Sequence, residues 1–447
     1  MSAIIMIAQL ILGLSILVFV HELGHYLAAR AFKIRVDKFY LFFDAWNFKF
    51  FKFKKGDTEF GMGWLPLGGY CKIAGMIDES MDKEQLKQPP QPWEFRSKPA
   101  WQRLIVMIAG VIMNLIVGVI IFTGVIMHYE KEYLPVSSID QGIYAYPAGR
   151  EIGFMTGDKI LKINGKEVER FKDVVTANVL MGSTITVDRN GKSIDIIVPD
   201  TMYRNYNKSV RDFFIEAHNF DFKIDSVLDT VINKDNTKKA SPAFLAGLKT
   251  GDKILAIDST AVTSYGQFRE MIWDSKNQKR TLTVLRADDT LALSLLVDST
   301  GYIGVVSKHP YKTKAYGFFA AIKYGNKDAM TNLWANVRGL GKIFTGKENA
   351  SESLQGPIGI MKIYGGIWDW HRFWLITGLI SVVLAFMNIL PIPALDGGHV
   401  IFTTWELITR RKVPEKILER AQVVGMIILI AIMVFAVFND VWKHFIR

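Results

Sequence analysis

The sequence predicts a multi-span α-helical membrane protein with about four transmembrane helices, a membrane-associated β-hairpin or sheet, and two similar α+β domains. Three observations predict it. Four apolar runs (residues 1–20, 104–127, 373–395 and 423–438) approach the length needed to cross a bilayer. A nine-residue pattern recurs 94 positions downstream, between the second and third runs. Aromatic and basic residues nearly alternate after the first run, as on a strand.

Half of the 447 residues are hydrophobic while 22% are charged, which suits a few spans joined to a sizeable water-soluble part. The single cysteine, Cys71, excludes an intrachain disulfide and a Cys-rich metal site, leaving His, Asp and Glu as ligands. The net charge of +11 bears on topology in a chain of this kind, and no nucleic-acid partner is expected.

The first element, residues 1–32, opens with twenty residues free of charge. It lacks the basic start and small-residue cleavage site of a secretory signal, so it is expected to stay as a span. Residues 33–103 form the β-rich segment. Asn47 to Lys54 reads NFKFFKFK and continues through Gly61, Gly63, Gly68, Gly69 and Tyr70. It is either a strand edge that pairs with an unwound polypeptide or an amphipathic sheet lying on lipid headgroups. Residues 104–128 supply the second span.

In the outer segment, Thr156-Gly157-Asp158-Lys159-Ile160-Leu161-Lys162-Ile163-Asn164 returns as Thr250-Gly251-Asp252-Lys253-Ile254-Leu255-Ala256-Ile257-Asp258. Pro147-Ala148 and Pro242-Ala243 precede the two copies. A period near ninety suits two globular domains, residues 129–222 and 223–308, and not a solenoid. Each copy reads as a turn entering a strand and resembles a PDZ domain. That resemblance implies either peptide capture by strand addition or a spacer that filters substrates by size, with the filter preferred.

Residues 309–370 carry amphipathic helical stretches, which either lie on the outer membrane surface or pack against the second PDZ-like domain. Residues 371–409 hold the third span and its PxPxLDGG segment, 410–422 a basic loop, and 423–447 the fourth span and tail. The segment from Arg30 to Arg103, both included, carries fourteen Lys or Arg, and the 410–422 loop is basic too. The positive-inside rule therefore places both loops in the cytoplasm, with the termini and the paired domains outside.

The chemistry lies in His21-Glu22-Leu23-Gly24-His25, an HExxH motif. On a helix the two imidazoles share a face and can grip one metal ion, while Glu22 can take a proton from metal-bound water. Three ionisable groups closing a charge-free span would be costly without a partner. Catalytic zinc takes three protein ligands and keeps one position open. The third candidate is Asp396, since the first and third spans run the same way and deliver these residues to similar depth. Pro391 and Pro393 are expected to break the helix just before it. His399 is a weaker alternative.

HExxH on the first span, PxPxLDGG on the third and tandem PDZ-like domains between together resemble a bacterial site-2 protease, the type that cleaves anti-sigma factors. The resemblance implies zinc held by His21, His25 and Asp396, with Glu22 as general base. It implies substrate handling by Asn388, Pro391 and Pro393, and by a membrane-dipping hairpin with Gly61, Gly63, Gly68, Gly69 and Tyr70. Asn114 follows a second-span element that usually reads AGP, where this chain has Val111. The glycine-rich stretch expected near Phe39 is also replaced. Implied partners are the lipid bilayer and single-span membrane proteins that another protease has already cut, with signal-peptide remnants as a further substrate. The implied location is the bacterial inner membrane, with the site near its cytoplasmic side. The alternative is a membrane-anchored PDZ scaffold with a structural metal site.

Overall fold

The structure, a computed structural model, describes residues 2–66, 68–76, 89–202, 214–220, 222–232, 238–299, 301–349, 351 and 356–443. Leu67, inside the expected hairpin, lies outside them. Two compact units emerge: Met1–Tyr129 with Gly317–Arg447, and Glu130–Tyr316.

In the first unit, α1 (Ser2–Ala31) leads to β1 (Val36–Leu41), β2 (Lys49–Lys55), β3 (Thr58–Gly63), β4 (Tyr70–Ile73) and α2 (Ala100–Val125). Among the described residues four helices are long and apolar enough to cross a membrane: Ser2–Ala31, Ala100–Glu130, Trp370–Ile389 and Lys416–Val441. The second starts earlier than expected, at Ala100 behind Pro99, whose fixed φ suits a helix entrance. The helix at the C-terminal end is also longer than its apolar run. It spans Glu415–Val441 because helical geometry continues through the charged first turn, which hydropathy cannot register.

Glycines let the spans approach closely, as small residues do in membrane bundles. A Cβ on Gly24 of α1 would stand 2.6 Å from the Ala109 carbonyl oxygen on α2. Polar side chains pin the contacts: Ser381 Oγ donates to the Asn114 carbonyl at 2.7 Å, and buried Gln9 Nε2 donates to the Gly365 carbonyl at 2.9 Å.

The β-rich segment is a four-stranded sheet of order β2-β3-β1-β4. Among the described residues of this sheet a hairpin forms only between β2 and β3, and Gly68, Gly69 and Tyr70 lead into the opposite edge. β3 pairs with β1 in parallel, with Phe39 opposite Phe60. One face rests on α1, where Tyr26 meets Phe39 and Phe60 with ring centroids 5.7 and 5.6 Å apart. Trp46, Phe48, Phe50, Phe51 and Phe53 are exposed on and beside edge strand β2.

The second unit contains two like sheets. The first has β5 (Lys159–Ile163), β6 (Lys166–Glu167), β7 (Ser183–Arg189) and β8 (Lys192–Val198) in the order β8-β7-β5-β6. The second has β9 (Lys253–Ile257), β10 (Thr260–Ala261), β11 (Lys279–Arg286) and β12 (Asp289–Leu296) in the order β10-β9-β11-β12, with α3 (Tyr265–Asp274) beside it. Each sheet covers its own apolar core, one around Ile160, Ile185 and Val187, the other around Ile254, Leu282 and Val284.

The repeated Gly-Asp now has a physical reason. Buried Asp158 accepts from the Met155 amide at 2.9 Å and from Arg189 Nε and Nη2 at 2.7 and 2.8 Å. Buried Asp252 accepts from the Lys249 amide at 2.9 Å and from Arg286 Nε and Nη2, both at 2.8 Å. In each copy the same guanidinium also reaches a glycine carbonyl, Gly153 or Gly247, at 2.7 Å. The carboxylate thus ties the turn before one strand to the end of its neighbour.

His218 in this unit is buried, with neither ring nitrogen hydrogen-bonded, and its ring lies against Tyr144 and Phe220. Burial pushes its pKa down to about 4. The unfolded chain binds this proton near pH 6.5, where the folded chain refuses it, so the stability it contributes is full at neutral pH and lost as pH falls towards 4. The slope approaches about 1.4 kcal/mol per pH unit. Melting the protein at pH 7.5 and at about pH 5.5 should show a drop that His218→Phe removes; an equal drop in the variant would assign it elsewhere.

After the second unit, the chain forms α4 (Phe318–Phe344), α5 (Pro357–Tyr364), α6 (Trp370–Ile389), α7 (Asp396–Thr409) and α8 (Glu415–Val441). The helical stretches expected after residue 309 merge into the single α4, which packs on α2 and α6 through Ala321, Gly325 and Ala329. The third apolar run does not stay helical to residue 395. α6 stops at Ile389, and α7 starts afresh at Asp396 beyond Pro391 and Pro393.

Candidate metal centre

His21 and His25 lie one turn apart on α1, where the helical repeat stacks them on one face. Asp396 arrives as the first residue of α7, delivered by the break that ends α6. His21 Nε2 stands 3.1 Å from Asp396 Oδ2, His25 Nε2 stands 3.3 Å from it, and the two nitrogens are 3.2 Å apart. Four-coordinate zinc with bonds near 2.05 Å needs ligand atoms ~3.3 Å apart. The donors therefore already have the spacing a tetrahedral ion demands. Asp396 Oδ2 is also buried without a hydrogen-bond donor. A buried carboxylate oxygen facing two imidazole nitrogens, with no donor aimed at it, fits a cation.

The surroundings select the tautomers. His25 Nδ1 lies 2.8 Å from the Val106 carbonyl oxygen, which can only accept, so Nδ1 carries the proton and Nε2 presents its lone pair. Asn114 Nδ2 lies 3.3 Å from His21 Nδ1; turned over, the same amide would present its oxygen and hold the His21 proton on Nδ1. The Asn388 amide lies 3.3 Å from His21 Nε2, on the ligating side. Gly110 of α2 sits against both rings, and a Cβ there would collide with His25 Nε2 and stand 2.7 Å from His21 Cε1. Val106, Gly110 and Asn114, four residues apart, therefore form one face of α2 that holds both imidazoles.

Glu22 is the neighbour of this group on α1, and the Cys71 backbone N–H donates to its carboxylate. Gly69 lies close by, since a Cβ there would be 3.5 Å from Glu22 Cγ and 2.7 Å from Val18 Cγ1. The structure thus gathers His21, Glu22, His25, Asp396, Asn388 and Gly69. Gly61 and Gly63 lie within the sheet, under the Tyr40 ring and against the Phe43 carbonyl. Tyr70 stacks on Tyr40 and donates to Asp44 Oδ1 at 2.9 Å, and Gly68 rests on the Phe43 ring. Pro391 is exposed and Pro393 lies against Gly398 and Gly425 in the turn before Asp396. His399, the weaker ligand candidate, is not among the three converging donors. Sequence reading did not single out Val106, which acts through its backbone, and met Gly110, which acts through having no side chain, only within the second-span element that usually reads AGP.

The chain is similar over nearly its whole length to known proteins. The "regulator of sigma E protease" of Haemophilus influenzae is 29% identical over 98% of this chain and 99% of its own. The "regulator of sigma-E protease" of Escherichia coli K12 is 28% identical over 97% of this chain and 98% of its own. A Neisseria meningitidis protein named "putative zinc metalloprotease" is 28% identical over 97% of this chain and 98% of its own. The family model described as peptidase family M50 matches residues 9–432. The chain therefore belongs to peptidase family M50, as a metalloprotease of the site-2 type.

Proposed function

We propose that the chain is an intramembrane zinc endopeptidase that hydrolyses peptide bonds in the membrane-spanning segments of other proteins. The observation that carries this reading is the meeting of His21 Nε2, His25 Nε2 and Asp396 Oδ2, beside Glu22, among helices apolar enough to cross a bilayer. His21, His25 and Asp396 would hold a zinc ion, which when bound would supply Lewis-acid chemistry for activating a water and the scissile carbonyl. Glu22 accepts the proton from the attacking water and returns it to the departing amine nitrogen. Asn388 and the Pro391–Pro393 turn meet the substrate backbone beside the site.

A helical substrate hides its carbonyls in internal hydrogen bonds and must unwind before attack. Gly61, Gly63, Gly68, Gly69 and Tyr70 belong to the sheet and its lead-in against which such a strand is held extended, and Gly69 lets this segment pack close to α1 beside Glu22. The two domains of the second unit are read as PDZ domains, supported by their matching strand orders and shared Asp–Arg tie. They act outside the bacterial inner membrane as a size filter, so substrates are single-span proteins already shortened by another protease. The Haemophilus and Escherichia relatives are named as regulators of sigma E, and the site-2 resemblance implies membrane-anchored anti-sigma factors as the substrate class.

The test uses purified full-length protein, its zinc content, and two peptides, one a membrane span and one an unfolded soluble sequence. Bound zinc and cleavage of the span peptide alone are expected. Equal cleavage of both would make it a metalloprotease of soluble chains, and zinc with no cleavage would favour a scaffold with a structural ion.

A further inference from the structure

We propose that the buried Arg103–Glu406 ion pair is a positioning device that sets the axial register at which α7 delivers Asp396 to the imidazoles. The inference rests on the metal-centre reading above. Arg103 and Glu406 have side chains only 10% and 7% exposed, and Arg103 Nη2 bonds Glu406 Oε2.

Neither residue touches the centre. Asp396 and Glu406 are ten positions apart on α7, ~15 Å along the axis, and Arg103 precedes Gly110 and Asn114 on α2 by ~10 and ~16 Å. The two helices pack together, and Arg103 and Val106 on one and Thr403 and Glu406 on the other are buried. α2 thus works as a ruler. Within one turn it holds α7 through Arg103 and His25 through the Val106 carbonyl.

The turn before α7 packs on Gly397 and Gly398, and α7 itself reaches back to α2 through Glu406. Its N-terminus has no side-chain cap, and it follows a non-helical turn with two prolines. The pair itself is firmly seated. Arg103 Nε donates to the Lys98 carbonyl at 3.1 Å, the guanidinium lies 5.9 Å from the Phe95 ring centroid, and Glu406 Oε1 accepts from the Val413 amide at 3.1 Å. Buried ion pairs add little net stability over apolar residues of like shape, and specifying register is their best-attested use.

The test compares full-length wild type with Glu406→Gln, Arg103→Gln and the exchanged pair R103E/E406R. It reads zinc loss to a chelator and the visible absorption of Co2+-loaded protein, with helical circular dichroism recorded for each. Both single variants should lose metal affinity about tenfold, the range for residues supporting ligands from outside, with a changed Co2+ spectrum and unchanged helicity. The exchanged pair should recover most of the loss. If it fails to accumulate, Glu406→Asp replaces it, keeping the charge one methylene short and giving an intermediate spectrum.

Wild-type affinity and spectrum in Glu406→Gln would overturn the positioning role while leaving the metal centre intact. A lowered melting temperature without spectral change would overturn it too, since that is the mark of a purely structural pair. A wild type that binds no zinc would sink the metal-centre reading itself.

Discussion

Replacing Glu22 with Gln is expected to lower hydrolysis of a membrane-span peptide by about a thousandfold while leaving zinc content at the wild-type level. Gln keeps the shape of Glu and can still accept the Cys71 N–H that donates to the carboxylate. What it loses is the ability to take up a proton at neutral pH. The ligand atoms belong to His21, His25 and Asp396, so the ion should remain. Single-turnover cleavage together with metal analysis separates the two effects. Full activity in this variant would remove Glu22 from the chemistry, and loss of zinc would recast it as support for the site.

The second large effect comes from one methyl group. In Gly110→Ala the new carbon falls on His25 Nε2 and 2.7 Å from His21 Cε1, so both rings must turn away from Asp396 or α2 must retreat from α1. α2 is held close by Gly24 against Ala109, and retreat would cost that packing as well. Metal affinity should fall about 100-fold, the upper range for losing outer support of a ligand, and peptide cleavage should fall with it. Gly124→Ala on the same helix serves as the control, because nothing lies within 4 Å of a Cβ there. Equal behaviour of the two variants would refute the account.

The converging donors His21, His25 and Asp396 were legible because each carries its chemistry in a side chain and at a spacing the helix enforces. HExxH needs only the 3.6-residue turn, and Asp396 needs only a break that two prolines supply. The repeated Gly-Asp was legible as repetition before its cause was known. The pairing of Asp158 with Arg189 and Asp252 with Arg286 joins residues more than thirty apart, which periodicity does not reveal.

Other features leave no mark in residue type. The parallel pairing of β1 with β3 depends on how both strands settle on α1, so a hairpin was the simpler expectation for that segment. Arg103 and Glu406 are 303 positions apart and look like ordinary charges flanking apolar runs. Hydropathy also misplaced the ends of α2, α6 and α8, since helices begin and end by backbone geometry and not by where apolar residues stop.

The His25 ring answers to the peptide oxygen of Val106. A peptide oxygen takes up no proton across the range in which bacteria live, unlike the carboxylate that often backs a ligating histidine. The tautomer that exposes Nε2 should therefore persist in acid until the imidazole itself is protonated. Position 106 should accept any side chain that keeps the turn helical and fits its packed surroundings, so divergence there need not disturb the centre.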